Sequence, residues 1–205
     1  AKAEGNIDNL IKLAHHTPYS SAWPDLIVFP ETTYPYVIAD NDLPLSQTLG
    51  VPTIIGSMSY KDGKVFNSMA VANSDGEIET LYSKSHLVPF GEYRPLGGLL
   101  PAPGQLTSGM GPEIIKVKTG DKDFYFAPAI CYEIVFTDSL IPRNSAYTPT
   151  AVINITNDTW FGKTPGTYQH LDMVRRYAIE SGLPIIRSNY SGISAFVGSD
   201  GTVLA

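Results

Sequence analysis

Three ionisable residues, each closing a short apolar run, are where this 205-residue chain could do chemistry. Cys131 ends the run Phe124-Tyr125-Phe126-Ala127-Pro128-Ala129-Ile130 and is followed by Tyr132 and Glu133. It is the single cysteine of the sequence, so it has no internal disulfide partner and is either packing or a reactive thiol. Free cysteines are among the most buried residue types, and alone this one reads as packing. Its place at the end of a strand, where side chains meet substrates, shifts the balance. Glu31 closes Leu26-Ile27-Val28-Phe29-Pro30, a strand pattern that Pro30 must end because proline cannot donate to a ladder. Lys84 leaves the strand at Leu81-Tyr82-Ser83, and a second carboxylate, Glu92, follows on a loop containing Pro89 and Gly91. Glutamate, lysine and cysteine at three strand ends supply a proton acceptor, a cation and a nucleophile, a set suited to acyl transfer. Each alone carries little, since most Glu and Lys side chains are solvated.

The elements that must position these residues follow from periodicity. Ile7, Leu10, Ile11 and Ala14 recur at helical spacing and predict an amphipathic first helix capped near Asn6. Strands are predicted over 53–60 and 65–72, with a turn at Asn73-Ser74-Asp75-Gly76 before the strand that carries Lys84. Two more are predicted over 113–118 and 124–131, then one over 150–156. A helix is predicted over 167–181 with Leu171, Val174, Tyr177 and Ala178 inward and Gly182 and Pro184 as stop signals. Strands over 185–188 and 193–197 complete the pattern. Ser-Asp-Gly recurs at 74–76 and 199–201, a faint sign of two similar halves. Such runs fit two sheets packed face to face with helices outside.

Composition excludes several classes. A net charge of −6 without a Lys/Arg cluster argues against nucleic acid, because binding phosphates needs a basic surface. No apolar run reaches the roughly 18 residues that span a bilayer, and no signal peptide is read at the start, so composition alone predicts a soluble domain. His15 and His16 diverge on a helix while His86 and His170 stand alone, so no metal site is expected. The Asn-X-Ser/Thr triplets at 154–156, 157–159 and 189–191 are read as chance matches.

Phe-Pro-Glu at 29–31, Tyr-Ser-Lys at 82–84 and Ile-Cys-Tyr-Glu at 130–133 resemble the Glu-Lys-Cys segments of the nitrilase (carbon–nitrogen hydrolase) superfamily. His86 to Tyr93, Asn157-Asp158-Thr159-Trp160-Phe161-Gly162 and the following Gln169-His170 resemble its apolipoprotein N-acyltransferase branch. Glu133 favours that branch too, since the soluble amidases more often carry Asp there. The resemblance implies a four-layer αββα sandwich forming one catalytic domain over 1–205. It also implies a fragment, lacking the first core strand and the last strands.

By the same resemblance Glu31, Lys84 and Cys131 are the catalytic residues, with Glu92, Tyr132 and Glu133 in support and no cofactor. The acyl donor is a phospholipid and the acceptor is the amine of the diacylglyceryl-modified N-terminal cysteine of an apolipoprotein. Cys131 carries the acyl group between them as a thioester, in a ping-pong cycle. Lys84 favours the thiolate, Glu31 moves protons, and Lys84 with the Tyr132 N–H stabilises each oxyanion. The implied location is the bacterial inner membrane, with the domain on the periplasmic face and attachment through segments outside this chain. A soluble amidase that uses water as the second nucleophile is the alternative. A binding module without catalysis is disfavoured because all three residues are present.

Residues 95–112 hold five Gly and four Pro without periodicity, yet include Leu96, Leu99, Leu100, Leu106 and Met110. They read either as a connector or as a mobile lid whose Leu99 and Leu100 touch acyl chains. Trp160 and Phe161 carry the same double reading: half-buried packing, or the wall of an acyl pocket.

Overall fold

Alternation of apolar and small residues along the strands gives each sheet two faces to bury, and the chain satisfies both by stacking layers. The structure is a computed structural model that describes residues 2–15, 23–38, 42–93 and 105–205. Helix α1 (Lys2–His15) is followed by β1 (Ile27–Val28), α2 (Pro44–Leu49), β2 (Thr53–Lys61), β3 (Lys64–Ala72) and β4 (Ile78–Ser83). Then come β5 (Ile115–Thr119), β6 (Lys122–Ile130), β7 (Ala151–Asn157), α3 (Gly166–Ser181), β8 (Ile185–Tyr190) and β9 (Ala195–Val197). Two sheets result, in the orders β1-β2-β3-β4 and β5-β6-β7-β8-β9. β1 is parallel to β2, and β6, β7 and β8 are mutually parallel, while the remaining pairs are antiparallel.

Three apolar clusters separate four layers. Ile54, Met69, Val71 and Tyr82 of the first sheet meet Ile115, Phe126, Ile130 and Ile153 of the second. Leu10 of α1 and Leu45 and Leu49 of α2 cover Ile55, Ala70 and Ala72 on the outer face of the first sheet. Val174, Tyr177 and Ala178 of α3 cover Ala127, Ala129 and Val152 on the outer face of the second. The order helix, sheet, sheet, helix is the expected αββα sandwich.

Differences from expectation are local. α1 starts at Lys2 and runs through Asn6, which therefore does not cap it. α2 was absent from the periodicity reading because six residues are too few to show a period, although Pro44 in its first turn and left-handed Gly50 at its end are standard punctuation. The Glu31 strand is only two residues long, since Pro30 ends it. Among the described residues no helix is long and apolar enough to cross a membrane.

Leu99 and Leu100, with most of the expected lid, lie outside the described residues. The described remainder is tied down: Leu106 N–H donates to Glu92 O (2.9 Å), Thr107 N–H to Val65 O (2.8 Å) and Gly109 N–H to Lys84 O (2.8 Å). Gly109 passes so close to Ser83 that any Cβ would collide with its backbone.

Candidate active site

β1, β4 and β6 bring Glu31, Lys84 and Cys131 just past their carboxyl ends, the usual place for a site in α/β architectures. Glu31 lies in the turn after β1, where Gly56 N–H of β2 donates to Pro30 O (3.1 Å). A Cβ on Gly56 would stand 2.5 Å from the Glu31 Cα, so only glycine lets this turn fold against β2. Lys84 follows β4 directly, its N–H donating to Asn67 O of β3 (2.8 Å). Cys131 follows β6 and opens a 3₁₀ turn over Cys131–Val135. Its φ is +54°, and Thr32 beside Glu31 has φ +49°. Non-glycine residues held in this region are strained, and such strain persists where surrounding structure fixes it, often at sites of function.

Glu31 is 5% exposed and Lys84 1%. The Lys84 ammonium donates to Glu92 Oε1 at 2.8 Å and stands 4.0 Å from Glu31 Oε1. Asn67 Nδ2 donates to Glu31 Oε1 (2.7 Å) and to Glu92 Oε1 (3.2 Å), and Val88 N–H holds Glu92 Oε2 (2.8 Å). Glu31 Oε2 is buried with no such partner, and Cys131 is near enough for the two groups to shift each other's titration. One cation thus faces two carboxylates in a space with little water.

The electrostatics follow from that imbalance. Burial raises the Glu31 pKa above the ordinary carboxylate range, with Glu92 adding to the rise and Lys84 and Asn67 opposing it. Burial works against the charge on Lys84, but Glu31, Cys131 and Glu92 outweigh it and raise its pKa. Burial and the Glu31 charge push the Cys131 thiol up to about 12, against the pull of Lys84. Lys84 does pull the thiol toward the anion, as expected, but burial and the Glu31 charge outweigh it. With the thiol this high the neutral form dominates at neutral pH, so the proton must leave as the sulfur attacks.

Glu133 is fully buried and serves as an anchor. Its carboxylate accepts from Ser85 N–H (2.7 Å), Ser85 Oγ (2.8 Å), His86 N–H (3.1 Å), the Tyr82 hydroxyl (3.0 Å) and Ile130 N–H (2.9 Å). It ties the turn that carries Cys131 to the strand end that carries Lys84. Tyr132 points outward, edge-on to Phe136, which in turn stacks on His86. Trp160 is 74% exposed, which corrects its reading as half-buried packing. Phe161 is half-buried and meets His170 edge-on.

A second cluster, not named from the sequence as a site, lies behind Cys131 between the second sheet and α3. Arg187 of β8 donates to Asn154 Oδ1 (2.5 Å), Asp158 Oδ2 (3.1 Å) and Ile193 O (3.2 Å). Asp158 also binds His170 Nδ1 (2.9 Å) and accepts from Asn189 Nδ2 (2.7 Å). Asn154 Nδ2 donates in turn to Ala129 O (3.1 Å) and Cys131 O (3.4 Å), bracing the strained turn from behind. Asn154 and Asn189 are thus structural, buried side chains. The available signal was polar residues inside apolar strand runs, which must find partners if buried. Asn67, in Val65-Phe66-Asn67-Ser68-Met69, was missed for the same reason.

Among the described residues no group of His, Cys, Asp and Glu could hold a metal ion. A groove over the outer ends of β2–β4, lined by Ser59, Phe66, Leu81 and Met110, contains none of Glu31, Lys84 and Cys131.

The carbon–nitrogen hydrolase family model matches residues 1–205. An apolipoprotein N-acyltransferase from Allorhizobium ampelinum is 36% identical over 92% of this chain and 39% of its own length. One from Rhizobium leguminosarum bv. trifolii is 37% identical over 95% of the chain and 40% of its own length. The chain thus spans about two fifths of these relatives. Among solved structures, a carbon–nitrogen hydrolase from Helicobacter pylori superposes with a TM-score of 0.73 at 19% identity, covering 99% of this chain and 80% of that one. An amidase from Nesterenkonia sp. gives 0.69 at 16% identity, covering 98% and 79%.

Proposed function

This chain belongs to the carbon–nitrogen hydrolase family, and from that premise we propose that it is the catalytic domain of an apolipoprotein N-acyltransferase, with Cys131 as nucleophile, Glu31 as general base and acid, and Lys84 as the electrostatic partner. The observation that carries the assignment is the convergence of three strand ends on one buried cluster. There Glu31 keeps an oxygen free and Cys131 is near enough for the two groups to shift each other's titration. A related fold supports the choice of nucleophile: in a Glu-to-Gln mutant of the Nesterenkonia amidase, acrylamide adds to the active-site cysteine.

The cycle has two halves. Cys131 Sγ attacks the ester carbonyl of a phospholipid while Glu31 takes the thiol proton. The tetrahedral intermediate collapses to a thioester, and Glu31 returns the proton to the departing lysophospholipid alkoxide. The amine of a diacylglyceryl-modified cysteine then attacks the thioester, Glu31 removes one of its protons, and the sulfur leaves and is reprotonated. The products are an amide and the original thiol. Lys84 and the Tyr132 N–H face the oxyanion in both halves, and one such donor contributes on the order of 10²–10³ in rate. Glu92 holds Lys84 in place. Two substrates sharing one nucleophile give ping-pong kinetics. The work is placed at the periplasmic face of the bacterial inner membrane, where lipid donor and lipoprotein meet.

The test is incubation of the full-length protein with phospholipid alone. One acyl group, labile to hydroxylamine, is expected on Cys131, and adding a lipopeptide amine should discharge it. Label on another residue, or an active Cys131→Ser variant, overturns the assignment. Discharge by water at the same rate without amine points instead to the amidase reading.

A further inference from the structure

Asn67 sits on β3 in the layer between the sheets and is 2% exposed. It touches both carboxylates of the front cluster and the backbone of Lys84. Its carbonyl accepts from the Lys84 N–H at 2.8 Å and so fixes where β4 releases the lysine. Its side-chain amide reaches Glu31 Oε1 at 2.7 Å and Glu92 Oε1 at 3.2 Å, the latter being the oxygen that also takes the Lys84 ammonium. A neutral donor therefore stands between two carboxylates that would otherwise repel each other with one cation to share.

The consequence for Glu31 is geometric. Oε1 is held by Asn67 with the lysine 4.0 Å away, while Oε2 is buried and without a partner. A carboxylate pinned by one oxygen cannot rotate freely, so the other oxygen has a fixed direction. We propose that Asn67 is a positioning residue that pins Oε1 of Glu31 and so presents Oε2 to the Cys131 thiol. The inference rests on the reading of Glu31 as the base for Cys131. An apolar residue in its place would leave both carboxylates short of a donor.

The groups that act on Glu31 come from each neighbouring element: Lys84 after β4, Glu92 on the loop beyond, Cys131 after β6 and, further back, Arg187 on β8. The first three keep their places when Asn67 is shortened, because Glu92 is held independently by Val88 N–H and Lys84. The amide's hydrogen bond favours the charged form of Glu31, so its loss must move the titration of the base upward.

The experiment measures iodoacetamide alkylation of Cys131 in the full-length protein as a function of pH, read by mass spectrometry of its peptide. This readout requires no lipid substrate. In Asn67→Ala the acid limb should move up by about one pH unit and the plateau rate fall roughly tenfold or more. Asn67→Asp, nearly isosteric and able to fold where the alanine variant cannot, should move it further by adding a third carboxyl group. In a Glu31→Gln background the Asn67→Ala change should alter the rate by less than about twofold, because residues acting through one another do not add. An unmoved acid limb, or rate losses that multiply in the double variant, overturns the role of Asn67. Alkylation of Glu31→Gln with the wild-type profile overturns the base assignment itself, and the inference with it.

Discussion

The two buried charged clusters on either side of Cys131 are built from similar parts to opposite ends. Behind it, one arginine meets one aspartate, and Asn154, Asn189 and His170 complete their hydrogen bonds, so the opposite charges balance and only His170 Nε2 is left without a partner. In front of it, one lysine meets two glutamates, and an oxygen of Glu31 is left over. The titrations follow suit. Burial raises the pKa of Asp158, but His170, Asn189 and Arg187 more than compensate and lower it, whereas that of Glu31 is raised. A balanced cluster stabilises one conformation, while an unbalanced one keeps a group ready to exchange a proton. Cys131 belongs to both, with its carbonyl braced by Asn154 and its thiol raised by the Glu31 charge.

The contrast is most easily broken at the front. Lys84→Met and Glu31→Gln should each lose thioester formation by about 10³-fold or more in single turnover. Glu31→Gln should do so with little loss of folding stability, whereas Lys84→Met also leaves two buried carboxylates without their cation and should be destabilised. A urea midpoint of Glu31→Gln that falls along with the rate would mean that Glu31 is structural as well.

Breaking the rear should do the reverse. Arg187→Met leaves Asp158 buried without its cation, which typically costs about 3–5 kcal/mol. A denaturant titration checks this, and a fully stable variant with lost activity would move Arg187 into the reacting group.

The pH dependence of stability should carry opposite signs in the two clusters. Asp158 has a lowered folded pKa, so it contributes stability above its unfolded value of about 3.9, lost as pH falls through the folded pKa. Glu31 has a raised folded pKa, so ionising it costs stability as pH rises through about 4.3 toward the folded value. Urea unfolding across this window should therefore show Asp158→Asn destabilised above pH 4. Glu31→Gln should be equal to or more stable than wild type there. The same sign for both would erase the distinction.

The smallest effect is expected at Trp160, exposed at the mouth of the rear cluster's 3₁₀ turn. Trp160→Ala should change stability by no more than about 0.5 kcal/mol. If the indole meets lipid, transfer from bilayer phospholipid should fall more than transfer from a short-chain ester.

Most of the layered fold was legible, because strands and helices of this length advertise their period. The runs at 53–60, 65–72 and 124–131 became β2, β3 and β6 with ends shifted by a residue or two at most positions. The short α2 was not, since six residues hold less than two turns. Of the site, Glu31, Lys84, Cys131 and Glu92 were legible as charged or reactive residues that end apolar runs.

What the sequence determined by itself was therefore which residues close the strands, and through them the family. What only the tertiary structure decided was how those residues are balanced. Asn67, Asn154, Asp158 and Arg187 lie far apart in the chain and look like ordinary polar residues in apolar surroundings. Burial at the sheet edges leaves them no water, so each must take the partner that the fold provides. That same removal of water raises the Cys131 thiol to about 12 despite Lys84, because desolvation depends on every layer packed around the sulfur and no local stretch of sequence encodes it.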